Sequence, residues 1–345
     1  MRAARGWWCA LTLLLAPWAR PEDDEVETCL GCHEDASLEM ALADGATRPL
    51  LVDRRALAGS VHAELRCTDC HPELAEIPHP ERRWKDAAEF QAGMQQACQT
   101  CHLTNYRHHL DSVHHRVLEA GGFAPGCVDC HGSHAVTRAA EPRSRISDTC
   151  AACHSEVAET YAGSVHGRAL GGENAGDVPV CTDCHRSHDI VNPRQAGFLL
   201  RTPEQCGRCH SDPERMQKYG LSTDVLRTYL SDFHGTTASL SQRTARGEGR
   251  VTAVCVDCHG VHDIAKVDDS ESRVLKANLV KTCRNCHPDA SESFPAAWLS
   301  HFEPSWEKAP LVYVVKLFYR VFIPFVIGGL LLQILLQLWR VVVNR

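Results

Sequence analysis

Almost every cysteine in this chain belongs to one five-residue unit, Cys-x-x-Cys-His. Eighteen of the 19 cysteines form the pairs Cys29/Cys32, Cys67/Cys70, Cys98/Cys101, Cys127/Cys130, Cys150/Cys153, Cys181/Cys184, Cys206/Cys209, Cys255/Cys258 and Cys283/Cys286. A histidine follows each pair at once: His33, His71, His102, His131, His154, His185, His210, His259 and His287. Chance at this composition would supply roughly 0.06 such units. Two thiols three residues apart can add to the two vinyl groups of one haem, and the adjacent His is placed to ligate the iron from the same side of the ring. A disulfide framework, the usual reading of so many cysteines in an exported chain, leaves the invariable His without a role. Zinc half-sites do not require it either. The units therefore read as sites for nine covalently bound c-type haems.

Nine such ligands leave twelve of the 21 histidines. Those twelve matter because an iron held by two His has no open position for a substrate. Ser-Val-His precedes the second, fourth and sixth units, at His62, His114 and His166, and Asp-Phe-His precedes the eighth, at His234. A further His follows the same four units, at His79, His134, His188 and His262, with His79 at a longer offset. The chain thus reads as a repeat of unit, spaced His, unit, near His. Repeats start near 29, 98, 150 and 206, and a half repeat from 283 is closed by His301. The nine extra histidines match nine irons one for one and are expected to be their second axial ligands, although which His serves which iron stays open. His108, His109 and His115 are left over and read as exposed or propionate-contacting residues, with His108 or His109 an alternative to His79.

The elements that position these residues follow from arithmetic. About 280 exported residues around nine porphyrins leave roughly 30 per haem, so the haems themselves must supply the hydrophobic core. The polypeptide becomes a thin wrapper of short helices, with regular structure sparse. Helices are expected to carry the attachment units and the stretches Asp86 to Ala97 and Pro213 to Tyr219, the latter capped by Asp212. "GATRPLLVD" from Gly45 predicts a turn into a short strand, and "SQRTARGEGR" from Ser241 a flexible loop.

At the N-terminus, Arg2 and Arg5 precede an apolar run from Trp7 to about Leu15, so residues 1–19 read as a secretory signal, with Cys9 incidental to it. Residues 20–305 form the haem domain, 306–320 a juxtamembrane segment, 321–339 a transmembrane helix and 340–345 a cytoplasmic tail. The uncharged span "VFIPFVIGGLLLQILLQLW" gives about 28 Å of helix, enough for a hydrocarbon core. Arg340 and Arg345 follow it, which leaves the C-terminus cytoplasmic and the haem domain on the periplasmic, exported side. Gly329, Gln333 and Gln337 recur along one face, suited to a neighbouring membrane helix or simply tolerated in an anchor. The span contains no His and cannot by itself hold a b-type haem. A net charge of −7, before any propionates, argues against nucleic acid as a partner and suits a redox protein with a basic face.

With its nine units over residues 29 to 301, the chain resembles a multihaem c-type cytochrome. The resemblance implies a mostly α and irregular fold, short helices wrapped around a stacked haem chain, with one C-terminal transmembrane helix. The tail "HFEPSWEKAPLVYVVKLFYRVFIPFVIGGLLLQILL" resembles the end of multihaem subunits that accompany a membrane cytochrome b in quinol oxidoreductase complexes. That implies a membrane cytochrome b or another quinol-interacting membrane subunit as one partner and an exported redox protein as the other. The function expected is electron relay between the quinone pool and exported acceptors, without independent enzymatic activity. The alternative is a multihaem reductase of a small oxyanion such as nitrite or hydroxylamine, for which His108, His109 and His115 could line a pocket. The absence of a Cys-x-x-Cys-Lys unit weighs against it.

Overall fold

The computed structural model describes residues 21–139, 141–244, 252–297 and 301–344. The expected signal, residues 1–19, lies outside the described residues. The fold is mostly helical with few strands, and helices account for 56% of it, more than a sparse wrapper would carry. The excess over the expectation has two sources. Every attachment unit lies in or against a helical turn, and one helix, Pro310–Val343, runs for 34 residues.

The attachment units are built in two alternating ways. The second, fourth, sixth and eighth units open short helices, Cys67–Cys70, Cys127–His131, Cys181–His185 and Cys255–His259. All four read Cys-x-Asp-Cys, and the Asp carboxylate accepts the N–H of the residue before the helix: Arg66 to Asp69 at 2.9 Å, Gly126 to Asp129 at 2.7 Å, Val180 to Asp183 at 2.6 Å and Val254 to Asp257 at 2.7 Å. Such a side chain satisfies one of the donors a helix start leaves unpaired. The other five units sit at the ends of helices such as Pro21–His33, Ala87–Cys101 and Thr202–His210. In both designs the first Cys, second Cys and His stand at i, i+3 and i+4, which one helical turn brings to a single face. The His N–H closes that turn on the first Cys carbonyl, at 2.9 Å for His71 on Cys67, His102 on Cys98 and His287 on Cys283.

Apolar side chains close little core between themselves. Leu200, Tyr229, Ala238 and Val254, with Val256 against them, form one small cluster. The expected local elements are present with adjusted ends. Asp86 caps Ala87–Cys101 and Asp212 caps Pro213–Met216, which continues as a tighter turn to Tyr219. Gly45, at φ +89°, makes the turn into Thr47–Pro49, which pairs antiparallel with Glu39–Ala41. The loop expected from Ser241 is corrected: residues 241–244 finish the helix Phe233–Thr244, where the Thr244 hydroxyl donates back to the Leu240 carbonyl at 2.9 Å, and residues 245–250 lie outside the described residues.

The chain divides into two compact bodies, one formed by residues up to Ala152 with Val180–Val191, the other by Cys153–Pro179 with Asn192 onward. The apolar helix Pro310–Val343 has a mean hydropathy of 2.3 over its best window and is long enough to cross a membrane. It starts ahead of the expected span because residues 311–315 and 317–319 are themselves apolar or aromatic. A shallow groove on it is lined by Gly329, Leu332, Gln333, Leu336, Gln337 and Arg340, the face on which the glycine and glutamines were expected.

Candidate metal centres

The extra histidines are held by a repeated local device. In Ser-Val-His the buried serine hydroxyl accepts a main-chain N–H: Ser60 from His62 at 3.2 Å, Ser112 from His115 at 3.1 Å and Ser164 from Gly167 at 3.0 Å. Asp232 takes the same role ahead of His234, accepting from Gly235 at 2.8 Å. Ser112 and Ser164 thereby start the short helices Val113–Glu119 and Val165–Leu170. The intervening valine donates its N–H to a carbonyl two residues beyond a near His. Val61 bonds Val136, Val113 bonds Ile190 and Val165 bonds Ile264, at 2.8, 2.8 and 2.9 Å. Each bond ties the spaced His of one repeat to the near His of the next, namely His62 with His134, His114 with His188 and His166 with His262.

The near His depends on a sharp reversal after the unit's own His. Gly132 and Gly260, at φ +74° and +85°, and Arg186, at φ +67°, make that reversal after His131, His259 and His185. The corresponding residue of the first repeat is Pro72, whose ring fixes φ near −65°. The chain there runs on through the turn Pro72–Leu74 and a loop before reaching His79, which explains the longer offset.

Among the described residues, seven pairs of imidazoles stand about 6 Å apart, each joining a unit His to an extra His. Their ring centres are 6.2 Å apart for His33 and His79, 6.0 Å for His62 and His102, 6.3 Å for His71 and His134, and 6.0 Å for His131 and His188. The spacing is 6.2 Å for His166 and His210, 6.3 Å for His234 and His287, and 6.1 Å for His259 and His301. Two imidazoles bound to one metal from opposite sides, each through a bond of about 2 Å, place their ring centres about 6 to 6.5 Å apart. The residues present therefore fit a haem iron between each pair. Six of the seven follow one register: His62, His166 and His234 each meet the first unit of the next repeat, and His134, His188 and His301 each meet the second unit of the repeat before, whereas His79 meets His33 within the first repeat. His114, His154, His185 and His262 are engaged with partners as well.

The protonation of these rings suits ligation. His33 donates Nδ1–H to the Leu50 carbonyl at 2.9 Å and His79 donates to the Glu76 carbonyl at 2.8 Å, which leaves Nε2 of each with a lone pair for a metal. Burial lowers the pKa of His71, His131, His134, His188, His210 and His301, and brings His166 and His259 down to about 4. Imidazoles kept neutral in this way are ready metal ligands.

The thiols form a second series. The first cysteines of both units in every full repeat lie side by side, close enough for one thiol to shift the pKa of the other: Cys29 with Cys67, Cys98 with Cys127, Cys150 with Cys181 and Cys206 with Cys255. Beyond the first, second and fourth repeats, Cys70 lies in electrostatic reach of Cys98 and Cys101, Cys150 of Cys130, and Cys258 of Cys283 and Cys286. Within each body the attachment points thus succeed one another in chain order. Groups carried there would be spaced for electron transfer from one to the next.

Cys184 and Cys209 differ in their surroundings. Cys184 is exposed near the end of the helix Cys181–His185 and belongs to the first body, whereas Cys209 is half-buried and belongs to the second. The Cys209 sulfur accepts a hydrogen bond from the Arg215 guanidinium at 3.0 Å, a contact with a cation that the spacing alone does not announce. Its cause is the short helix Pro213–Met216, which follows directly and packs back on Thr202–His210. Both cysteines keep the i+3 position that attachment requires.

The three leftover histidines gain a structural explanation. His109 stands five residues before His114, as Tyr161 stands before His166 and Tyr229 before His234. His115 takes the place of Gly167 and Gly235. In those later repeats the tyrosine hydroxyl donates to a carbonyl two residues before the next unit, Pro179 or Ala253, and the glycine packs on the tyrosine carbonyl. In the second repeat the rings of His109 and His115 meet edge to face at 5.3 Å instead. They fill a packing position of the repeat, and His108 is exposed.

Residues 119–211 match the model of the cytochrome c3 family, a stretch holding the units at Cys127, Cys150, Cys181 and Cys206. No curated protein and no solved structure matches the chain. The family match, added to the ring spacing and the thiol pairs, supports a multihaem c-type cytochrome that transfers electrons through covalently bound c-type haem.

Proposed function

We propose that the chain is a membrane-anchored nonahaem cytochrome in which all nine irons carry two histidines. The single observation that supports this most is the set of seven imidazole pairs at 6.0 to 6.3 Å, each pairing a unit His with an extra His. Haems held by these residues would supply one-electron chemistry, and two histidines on each iron would make that chemistry relay rather than turnover. The chain's own residues position the imidazoles through capped turns and bonds between repeats and keep successive attachment points adjacent. Pro310–Val343 anchors the domain with its C-terminus in the cytoplasm. The last unit, Cys283 to His287, precedes the helix closely and is the natural place to exchange electrons with a quinol-interacting membrane subunit such as a cytochrome b. An exported redox protein takes or supplies them at the other end.

The test is haem reduction by a quinol analogue in membranes that contain the complete complex. The reading expects all haems to be reduced through the membrane partner, and reoxidised by an exported acceptor. Steady consumption of nitrite or hydroxylamine by the isolated chain, lost on destroying its haems, would replace it with the reductase reading.

A further inference from the structure

Among the nine extra histidines, His79 is the exposed one; His62, His114, His134, His166, His188, His234, His262 and His301 are all partly buried. Its anchorage differs too. The spaced histidines ride on turns or helices started by Ser60, Ser112, Ser164 or Asp232, and His134, His188 and His262 stand two residues before carbonyls bonded by a distant valine. His79 lies in the loop that Pro72 forces on the first repeat. Residues 75–83 are exposed throughout, and among the described residues their backbone N–H groups make no hydrogen bond. The His79 ring donates only three residues back, to Glu76, within the same loop. The nearby ion pair of Arg82 with Glu73, at 3.2 Å, is a solvent-exposed one and adds little restraint.

A ligand on such a segment leaves its metal at the cost of local opening alone, whereas the seven held by these caps and inter-repeat bonds leave only when those bonds break. We infer that the iron held by His33 is a binding site for a small diatomic ligand, such as carbon monoxide or nitric oxide, which displaces His79 from the reduced haem. The step is a ligand exchange: one iron–imidazole bond breaks, one bond from iron to the diatomic molecule forms, and no electron leaves the complex. The His79 side chain, still attached to its loop, competes for the position at a high effective concentration and returns when the diatomic ligand is removed. The inference rests on the two-histidine reading of the resting protein.

The probe is carbon monoxide added to the fully reduced intact protein, with uptake counted by difference spectroscopy. One equivalent per nine haems is expected. His79→Ala should keep that stoichiometry at one while raising the uptake rate about tenfold or more, because the competing imidazole is gone. Wild-type protein that is wholly low-spin at rest and takes up no carbon monoxide would overturn this inference alone. Two equivalents in His79→Ala would overturn it as well, since the site would then be another haem. A resting high-spin signal in wild-type protein would undo the two-histidine reading itself.

Discussion

The imidazole rings of His131 and His188 face each other at 6.0 Å, only 25° from parallel, although they belong to successive repeats. The Val113 N–H, bonded to the Ile190 carbonyl at 2.8 Å, fixes the segment that carries His188. An iron held between them would fasten two consecutive repeats, in a chain where the apolar side chains of the described residues alone close little core.

Removing one such ligand should therefore have a countable effect. His188→Ala is expected to convert one haem in nine to the high-spin form and to leave the rest low-spin. Counting high-spin signal against total haem in the oxidised variant checks it. An unchanged low-spin spectrum would mean that His188 is not the second ligand of the iron held by His131.

Gly167 follows His166 in the third repeat, and a Cβ placed there would overlap the main-chain carbonyl of Tyr161. Because backbone rather than a flexible side chain stands in the way, Gly167→Ala should destabilise the fold by about 1–3 kcal/mol. Gly235→Ala should behave alike, since the same overlap is met at Tyr229. Thermal unfolding of both variants, followed by haem absorption, measures the loss.

Arg186 makes with a side chain the reversal that Gly132 and Gly260 make without one. A non-glycine residue in that region carries about 1–3 kcal/mol of strain, and the exposed ion pair with Asp189 returns little of it. Arg186→Gly is expected to stabilise the protein by about 1 kcal/mol after the glycine's added chain entropy. A raised unfolding midpoint with unchanged haem content is the readout.

Truncation before Pro310 should release the haem domain into the soluble fraction with its full complement of haem. The helix contributes neither Cys nor His, so its loss removes an anchor and no ligand. Fractionation with haem quantification distinguishes this from a helix on which folding of the domain depends.

Much of the site was legible in the sequence because covalent attachment demands fixed spacing: Cys29, Cys32 and His33 can be read directly from one helical turn. The extra histidines were legible as a repeat through Ser-Val-His and the closing near His. Their pairing was not, because it depends on hydrogen bonds such as Val61 to Val136 that join residues far apart in the chain. One signal was present and unused: Asp69, Asp129, Asp183 and Asp257 mark every second unit as a helix start. The differing surroundings of Cys184 and Cys209 were hidden for the same reason as the pairing, since the fixed spacing within a unit says nothing of which neighbour, here Arg215, packs against its sulfur. The offset of His79 likewise followed from Pro72, a residue that forbids the reversal made elsewhere by Gly132. His109 and His115, read as spare histidines, are intelligible only when Tyr161 and Gly167 are seen to fill the same places.

The central claim is that every iron is closed by two histidines, so that the chain relays electrons instead of turning over a substrate. Low-temperature electron paramagnetic resonance of the intact oxidised protein, scaled to its haem content, tests this most directly. Nine haems per chain with only low-spin ferric signals are predicted. A high-spin signal amounting to a whole haem equivalent would contradict the account.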